Sequence, residues 1–141
     1  MTTLTVARVL ATLVAVVTTF GALLADFVIP ATAAQHMRND RWPPHAKFHD
    51  AQYIVMSILL GVIALALLVT PWDSEQFAVF TAGAILATPW LGLLGALLFP
   101  GTAIHDPEFH NRPVAGLHPQ VFLALILLAV LLIAALLTAL S

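Results

Sequence analysis

Four stretches of this sequence are almost free of polar side chains: Val9 to Ile29, Tyr53 to Thr70, Phe77 to Phe99 and Val121 to Leu140. Each is close to the ~20 residues an α-helix needs to cross the hydrocarbon core of a bilayer. Backbone N–H and C=O groups find no water there, so such segments must satisfy themselves as helices. Four spans and their connections use up the 141 residues. The expected fold is all-α: a polytopic membrane protein whose residues 1–141 form one transmembrane domain, a four-transmembrane-helix bundle with polar loops at 30–52 and 100–120.

Composition agrees and excludes several functions. The chain is 61% hydrophobic and 9% charged, a balance foreign to soluble domains. A net charge of −2 gives no footprint for nucleic acid, so the expected partners are the lipid bilayer and a lipophilic small molecule. The absence of cysteine removes disulfides, thiolate ligands, thiol nucleophiles and iron–sulfur centres. Arg8 ahead of an apolar run, with Ala31-Thr32-Ala33 behind it, resembles a signal peptide, but the run exceeds the usual signal length and reads as the first span.

With four spans, the two long loops share one side and both termini share the other. Arg38, Arg41, Lys47 and Arg112 lie in or beside the long loops, and only Arg8 lies opposite. The positive-inside rule then puts the long loops in the cytoplasm and the termini outside. PATAAQH (Pro30 to His36) closes the first span and PGTAIH (Pro100 to His105) closes the third, seventy residues later. The echo suggests two tandem helical hairpins related by a pseudo-twofold along the membrane normal, although so short a match also arises by chance. Pro43 or Pro44, and Pro119 after His118, suit the first turn of a helix, where a missing N–H costs nothing.

All six histidines (His36, His45, His49, His105, His110 and His118) fall in the long loops or the helix starts that leave them. A helix begun at Pro43 or Pro44 places His45 and His49 at i and i+4 on one face. Two such imidazoles can hold a transition metal, zinc or iron, with His36, His105 and His110 as further candidate ligands. Equally, interfacial histidines often do no more than bond loop carbonyls. Asp26 lies inside the first apolar run, where a carboxylate costs several kcal/mol and usually pairs or acts. Desolvation would poise it for acid–base work. Asp26, His45 and His49 are therefore the candidate catalytic residues. Tyr53 continues the histidine face, and Trp90 follows Pro89 in the third span among Gly92 and Gly95. Thr88 is placed to satisfy the carbonyl that Pro89 frees, and the glycines would admit a neighbouring helix or a flat ligand. Phe109 anchors a proline-limited loop that could close as a lid. Tyr53, Trp90 and Phe109 are the candidate substrate contacts.

NDRWPPHAKFHDAQ (Asn39 to Gln52), together with LFPGTAIHDPEF, resembles a family of small four-span membrane proteins of unknown function with an Asn-x-x-Trp-x-Pro-His-Ala-x-Phe-His pattern. The positions it singles out are Asn39, Trp42, Pro44, His45, Phe48 and His49, and it implies a shape without an activity. A looser similarity is to the histidine-box membrane oxygenases and desaturases, but their His-x-x-His-His boxes are absent. The expected function is a membrane enzyme that isomerises, cyclises or oxygenates a lipophilic molecule by His/Asp acid–base or metal-assisted chemistry. The alternatives are a proton- or metal-ion-coupled transporter and a non-catalytic subunit docking a partner through its loops. Gly61 and the Gly92/Gly95 pair could also serve a homodimer.

Overall fold

A computed structural model describes residues 1–141. The helices are α1 (Thr3–Ala22), continued by a π-helical segment (Leu23–Val28), α2 (Pro30–Ala33), α3 (Pro44–Val69), α4 (Glu75–Ala96) and α5 (Pro119–Ala139). Four of them, counting α1 with its π extension, are long and apolar enough to cross a membrane. The chain is an all-helical integral membrane protein. Each start has a local cause. Thr2 accepts the Thr5 N–H, Ser74 that of Phe77 and His118 that of Gln120, which satisfies donors a helix leaves bare at its N-terminus. Pro43 occupies the cap of α3 and Pro44 its first helical position.

The helix limits differ from the apolar runs at their polar ends. α1 begins at Thr3 rather than Val9, and α3 at Pro44 rather than Tyr53. With 26 residues, α3 is roughly 39 Å long at 1.5 Å per residue. Its first turns therefore stand clear of a ~30 Å hydrocarbon core.

α1 packs on α3 and α5, α4 packs on the same two from the far side, and α1 and α4 face each other across the middle. Buried positions fall three and four apart: Ile54, Ser57, Gly61, Ala64 and Leu68 on α3, and Ala124, Leu127, Leu131, Ala134 and Thr138 on α5. That spacing makes one stripe per helix, while Leu59, Val62, Leu132 and Leu136 point outward to the lipid. The stripes are rich in small residues, as expected where close backbone approach replaces the hydrophobic effect. The tightest crossing is at Gly61, where a Cβ would fall on the Thr19 side chain and lie 2.9 Å from Thr19 Cα. Gly61 thus joins α3 to α1 within the chain. A Cβ at Gly92 or Gly95 meets nothing within 4 Å, so no helix approaches them.

Mid-bundle, the Trp90 indole N–H donates to Thr18 Oγ1 at 3.1 Å, tying α4 to α1. Thr88 Oγ1 donates to the Ala84 carbonyl, not to that of Ile85, which Pro89 deprives of its donor.

The local backbone does not repeat after the Pro30 and Pro100 echoes. Pro30 opens α2, whereas α4 has ended at Ala96 before Pro100 is reached. The second loop folds on a tight turn instead. Val114 and Leu117 exchange both backbone hydrogen bonds across Ala115 (φ 49°) and Gly116 (φ 80°), as a two-residue turn with positive φ at both centres requires.

Candidate functional site

The site grows from the irregular end of the first span. Pro30 cannot continue a helix, and Ile29 before it is extended, with φ −71° and ψ 116°, as residues preceding proline tend to be. The helix widens before it stops, and the Ile29 N–H bonds five residues back to Leu24 at 2.8 Å. Such π turns recur at functional sites because they loosen the backbone ladder locally. This one carries Asp26, whose carbonyl accepts the Met37 N–H at 3.3 Å. That bond draws the 34–38 segment back over the bundle end and brings His36 to Asp26.

His36 stands between two carboxylates. Its Nε2 is 3.6 Å from Asp26 Oδ1, and its Nδ1 is 4.0 Å from Asp50 Oδ1. The three side chains can present one ligand atom each within 4.8 Å of one another. Asp26 and Asp50 expose only 5% and 10% of their side chains, against 28% for His36. No Lys or Arg forms a salt bridge with either carboxylate. Arg41 pairs with Glu108 at 3.1 Å, and Arg38 lies over the Phe27 ring. Asp26 Oδ1 and Asp50 Oδ2 have no hydrogen-bond partner. Burial pushes the His36 imidazole below its ordinary pKa, against the opposing pull of Asp50 and Asp106. A neutral ring can accept a proton at one nitrogen and release one at the other.

Two loop tethers hold this arrangement. The Trp42 indole N–H donates to Asp106 Oδ2 at 3.1 Å, and the Trp42 ring meets that of His36 edge to face. The amides of Gln35 and Asn111 bond reciprocally at 3.2 and 3.1 Å, and Asn111 reaches His118 Nε2 at 3.0 Å. Buried Asn39 accepts the Arg41 N–H, an Asx turn that aims Trp42. Within the Asn39 to His49 pattern, Asn39 and Trp42 are thus builders of the loop.

His45 and His49 are not among the residues that gather around Asp26. They pair with each other, Nε2 to Nε2 at 3.1 Å on an exposed face, with His49 Nδ1 near Gln52. One residue beyond His49, the helix has turned by about 100° and points Asp50 inward. His105 stacks on His118 with centroids 5.5 Å apart, and burial and His105 together push His118 below its ordinary pKa. His110 is exposed in the second loop. Of the five candidate metal ligands, only His36 lies in the cluster.

Three cavities share Gln120. One of about 230 Å³ is lined by Asp26, His36, Gln35, Asn111 and His118. A second, of about 190 Å³, lies under the second loop against Phe109, Trp42 and His105. The third, of about 440 Å³, is a largely apolar groove between α3 and α4, lined by Tyr53, Met56, Ser57, Thr88, Pro89 and Gly92. Tyr53 and Phe109 therefore stand at cavities. Trp90 does not line the groove: it is 7% exposed and its N–H is held by Thr18, so it serves as bundle packing.

A family model described as a family of unknown function, DUF6640, matches residues 10–139. The chain belongs to that family. No curated protein and no solved structure matches it. The matched residues include every side chain of the Asp26, His36 and Asp50 cluster and all three cavities.

Asp50, His118, Gln35, Asn111 and Gln120 are the site residues that sequence reading missed. Asp50 carried a usable signal: Asp50, Ile54, Ser57, Gly61 and Ala64 follow one another at steps of four and three, the stripe that turns inward. The others offer no such signal, because their positions depend on how two loops cross.

Proposed function

We propose that the protein is a small integral-membrane enzyme that moves protons on a lipophilic small molecule, as an isomerase or cyclase does, with Asp26, His36 and Asp50 as its acid–base groups. The observation that carries this reading is the imidazole of His36 set between two buried carboxylates, beside a cavity whose Gln120 also lines the apolar groove. A lipophile entering between α3 and α4 would rest its apolar body on Met56, Leu60 and Leu93 and turn its polar end toward Gln120. Asp26, with an unpartnered oxygen, is the base that takes the first proton. His36 accepts it at Nε2 and releases one from Nδ1 toward Asp50, and the reverse path returns a proton to another carbon of the substrate. Acid and base in one water-poor pocket are what such rearrangements need.

The closed far half of the bundle favours an enzyme over a carrier. Beyond Asp26 the axis is filled by Thr18, Trp90, Leu86 and Val14, and the next charged pair, Arg8 and Glu75, lies at the opposite end. The same asymmetry goes with our assignment of the long loops to the cytoplasm and the termini to the outer side. One observation favours a docking role for the surface: Phe48 is 60% exposed beside His45 and His49.

The experiment is incubation of the purified protein with a lipid extract from its native membranes, read by mass spectrometry and chromatography. We expect one lipophile to be converted to a species of unchanged mass and altered retention. Conversion should drop at least about a hundredfold in Asp26→Asn. Full conversion by that variant rules the reading out.

A further inference from the structure

We infer that Asp26, His36 and Asp50 form a binding site for one divalent transition-metal ion, with an open coordination position facing the cavity beside Gln120. The inference rests on the reading above for what the open position would do, but not for whether the ion binds.

Three observations carry it. The ligand atoms lie within 4.8 Å of one another, and the Asp26 Oδ1 to His36 Nε2 separation is 3.6 Å. Two ligands on one ion at about 2.1 Å sit roughly 3.0 to 3.4 Å apart, so the Asp26–His36 pair is close to ligand spacing, while Asp50, 4.0 Å from the other ring nitrogen, must move further to close the set. Asp26 is 3% exposed, yet its Oδ1 has no hydrogen-bond donor, and neither has Asp50 Oδ2. A buried acceptor left bare costs about 1–3 kcal/mol, more when charged, and two carboxylates that each carry one, with ligand atoms within 4.8 Å of each other, ask for a cation. The protein supplies none: no Lys or Arg bridges either carboxylate.

The donor set narrows the ion. Two carboxylates and one imidazole suit Zn(II), Mn(II) or Fe(II), and three protein ligands leave room for water or a substrate oxygen. Gln120 and Gln35, lining the same cavity, are placed to hold that oxygen. Such an ion would polarise a carbonyl or hydroxyl at the substrate's polar end, which extends the proposed substrate class to oxygen-bearing lipophiles. With Asp26 Oδ1 and His36 Nε2 taken as ligands, protons would be handled by the atoms left free, Asp26 Oδ2 and His36 Nδ1.

The test is Zn(II) titration of tag-free protein in detergent near neutral pH, after chelator treatment, with bound metal counted by elemental analysis. We expect one Zn(II) per chain. Asp26→Asn, Asp50→Asn and His36→Ala should each weaken binding at least about tenfold, whereas the His45→Ala/His49→Ala double variant should bind like the native protein. Circular dichroism and gel filtration select variants that fold, and the near-isosteric Asp26→Asn decides if His36→Ala does not. Absence of stoichiometric Zn(II) in the native protein overturns the metal site while leaving proton transfer by the same residues intact. Loss of Zn(II) in the double variant but not in Asp26→Asn also overturns it, by moving the site to the exposed pair. Turnover is not read, so failure of the enzyme reading would show only in the lipid-extract assay.

Discussion

Asp26 Oδ1 lies 3.6 Å from His36 Nε2, although one side chain hangs from a π turn inside an apolar span and the other from the polar segment after it. The contact joins the two least comfortable features of the chain, a buried carboxylate and a half-buried imidazole. Neither is needed to make a four-helix bundle.

Replacing the carboxylate should therefore stabilise the fold. With chelator present, Asp26→Asn removes a buried charge whose Oδ1 is unpaired, and we expect a gain of about 1–3 kcal/mol. Reversible unfolding in mixed detergent micelles measures it. A loss of stability of that size would mean that Asp26 is a structural partner rather than a functional burden.

The crossing of α1 and α3 gives an opposite expectation. A side chain at Gly61 must displace the Thr19 backbone, so Gly61→Ala should cost about 1–3 kcal/mol and Gly61→Leu more. Alanine at Gly92, where nothing lies within 4 Å, should change stability by less than about 0.5 kcal/mol. The same unfolding assay compares the three.

Trp90 and Thr18 make a clean pair for a double-mutant cycle. Trp90→Phe and Thr18→Val each remove one side of the 3.1 Å hydrogen bond. Within a membrane bundle the coupling should be about 0.6–1.7 kcal/mol. A coupling of zero would show that the indole N–H finds another acceptor.

His36 should give the fold a pH dependence. Its pKa is depressed by burial, so its stabilising contribution is present above the ordinary imidazole value of about 6.5. It is lost as pH falls, because the unfolded chain takes up a proton that the folded chain resists. Asp26, Asp50 and Asp106 all face this ring. With chelator present, stability should fall from about pH 6.5 downward by at most about 1.4 kcal/mol per pH unit more steeply in the native protein than in His36→Asn. Parallel profiles would remove His36 as the titrating group.

What could be read from the sequence was what depends on local pattern. Apolar run length reveals the four helices, and proline position narrows the start of α3 to Pro43 or Pro44, of which Pro44 is the first helical residue, because the physics of both is confined to neighbouring residues. Asp26 is visible as an anomaly for the same reason. Its partners are not. Whether Asp26 meets His49 or Asp50 is decided by a single 100° step along α3, and by the Met37 N–H reaching back to the Asp26 carbonyl to deliver His36. Trp90 could not be assigned from its neighbours alone, since the feature that gives it a packing role is Thr18, seventy-two positions away. The second loop is harder still, because Gln35, Asn111 and His118 come together only when both loops are folded.

The π turn at Leu23–Val28 also says something about how the chain could change. A π turn is an α-helix carrying one surplus residue. Deleting Leu24 would let the segment relax to ordinary α-helix while Ala7, Ala11, Val14 and Thr18 in front of it kept their places. Asp26 would swing by about 100° and leave His36. The anchor and the chemistry are thus separable at one codon, so a lineage could shed the site and keep the bundle, or acquire the site by a single insertion into a plain membrane helix.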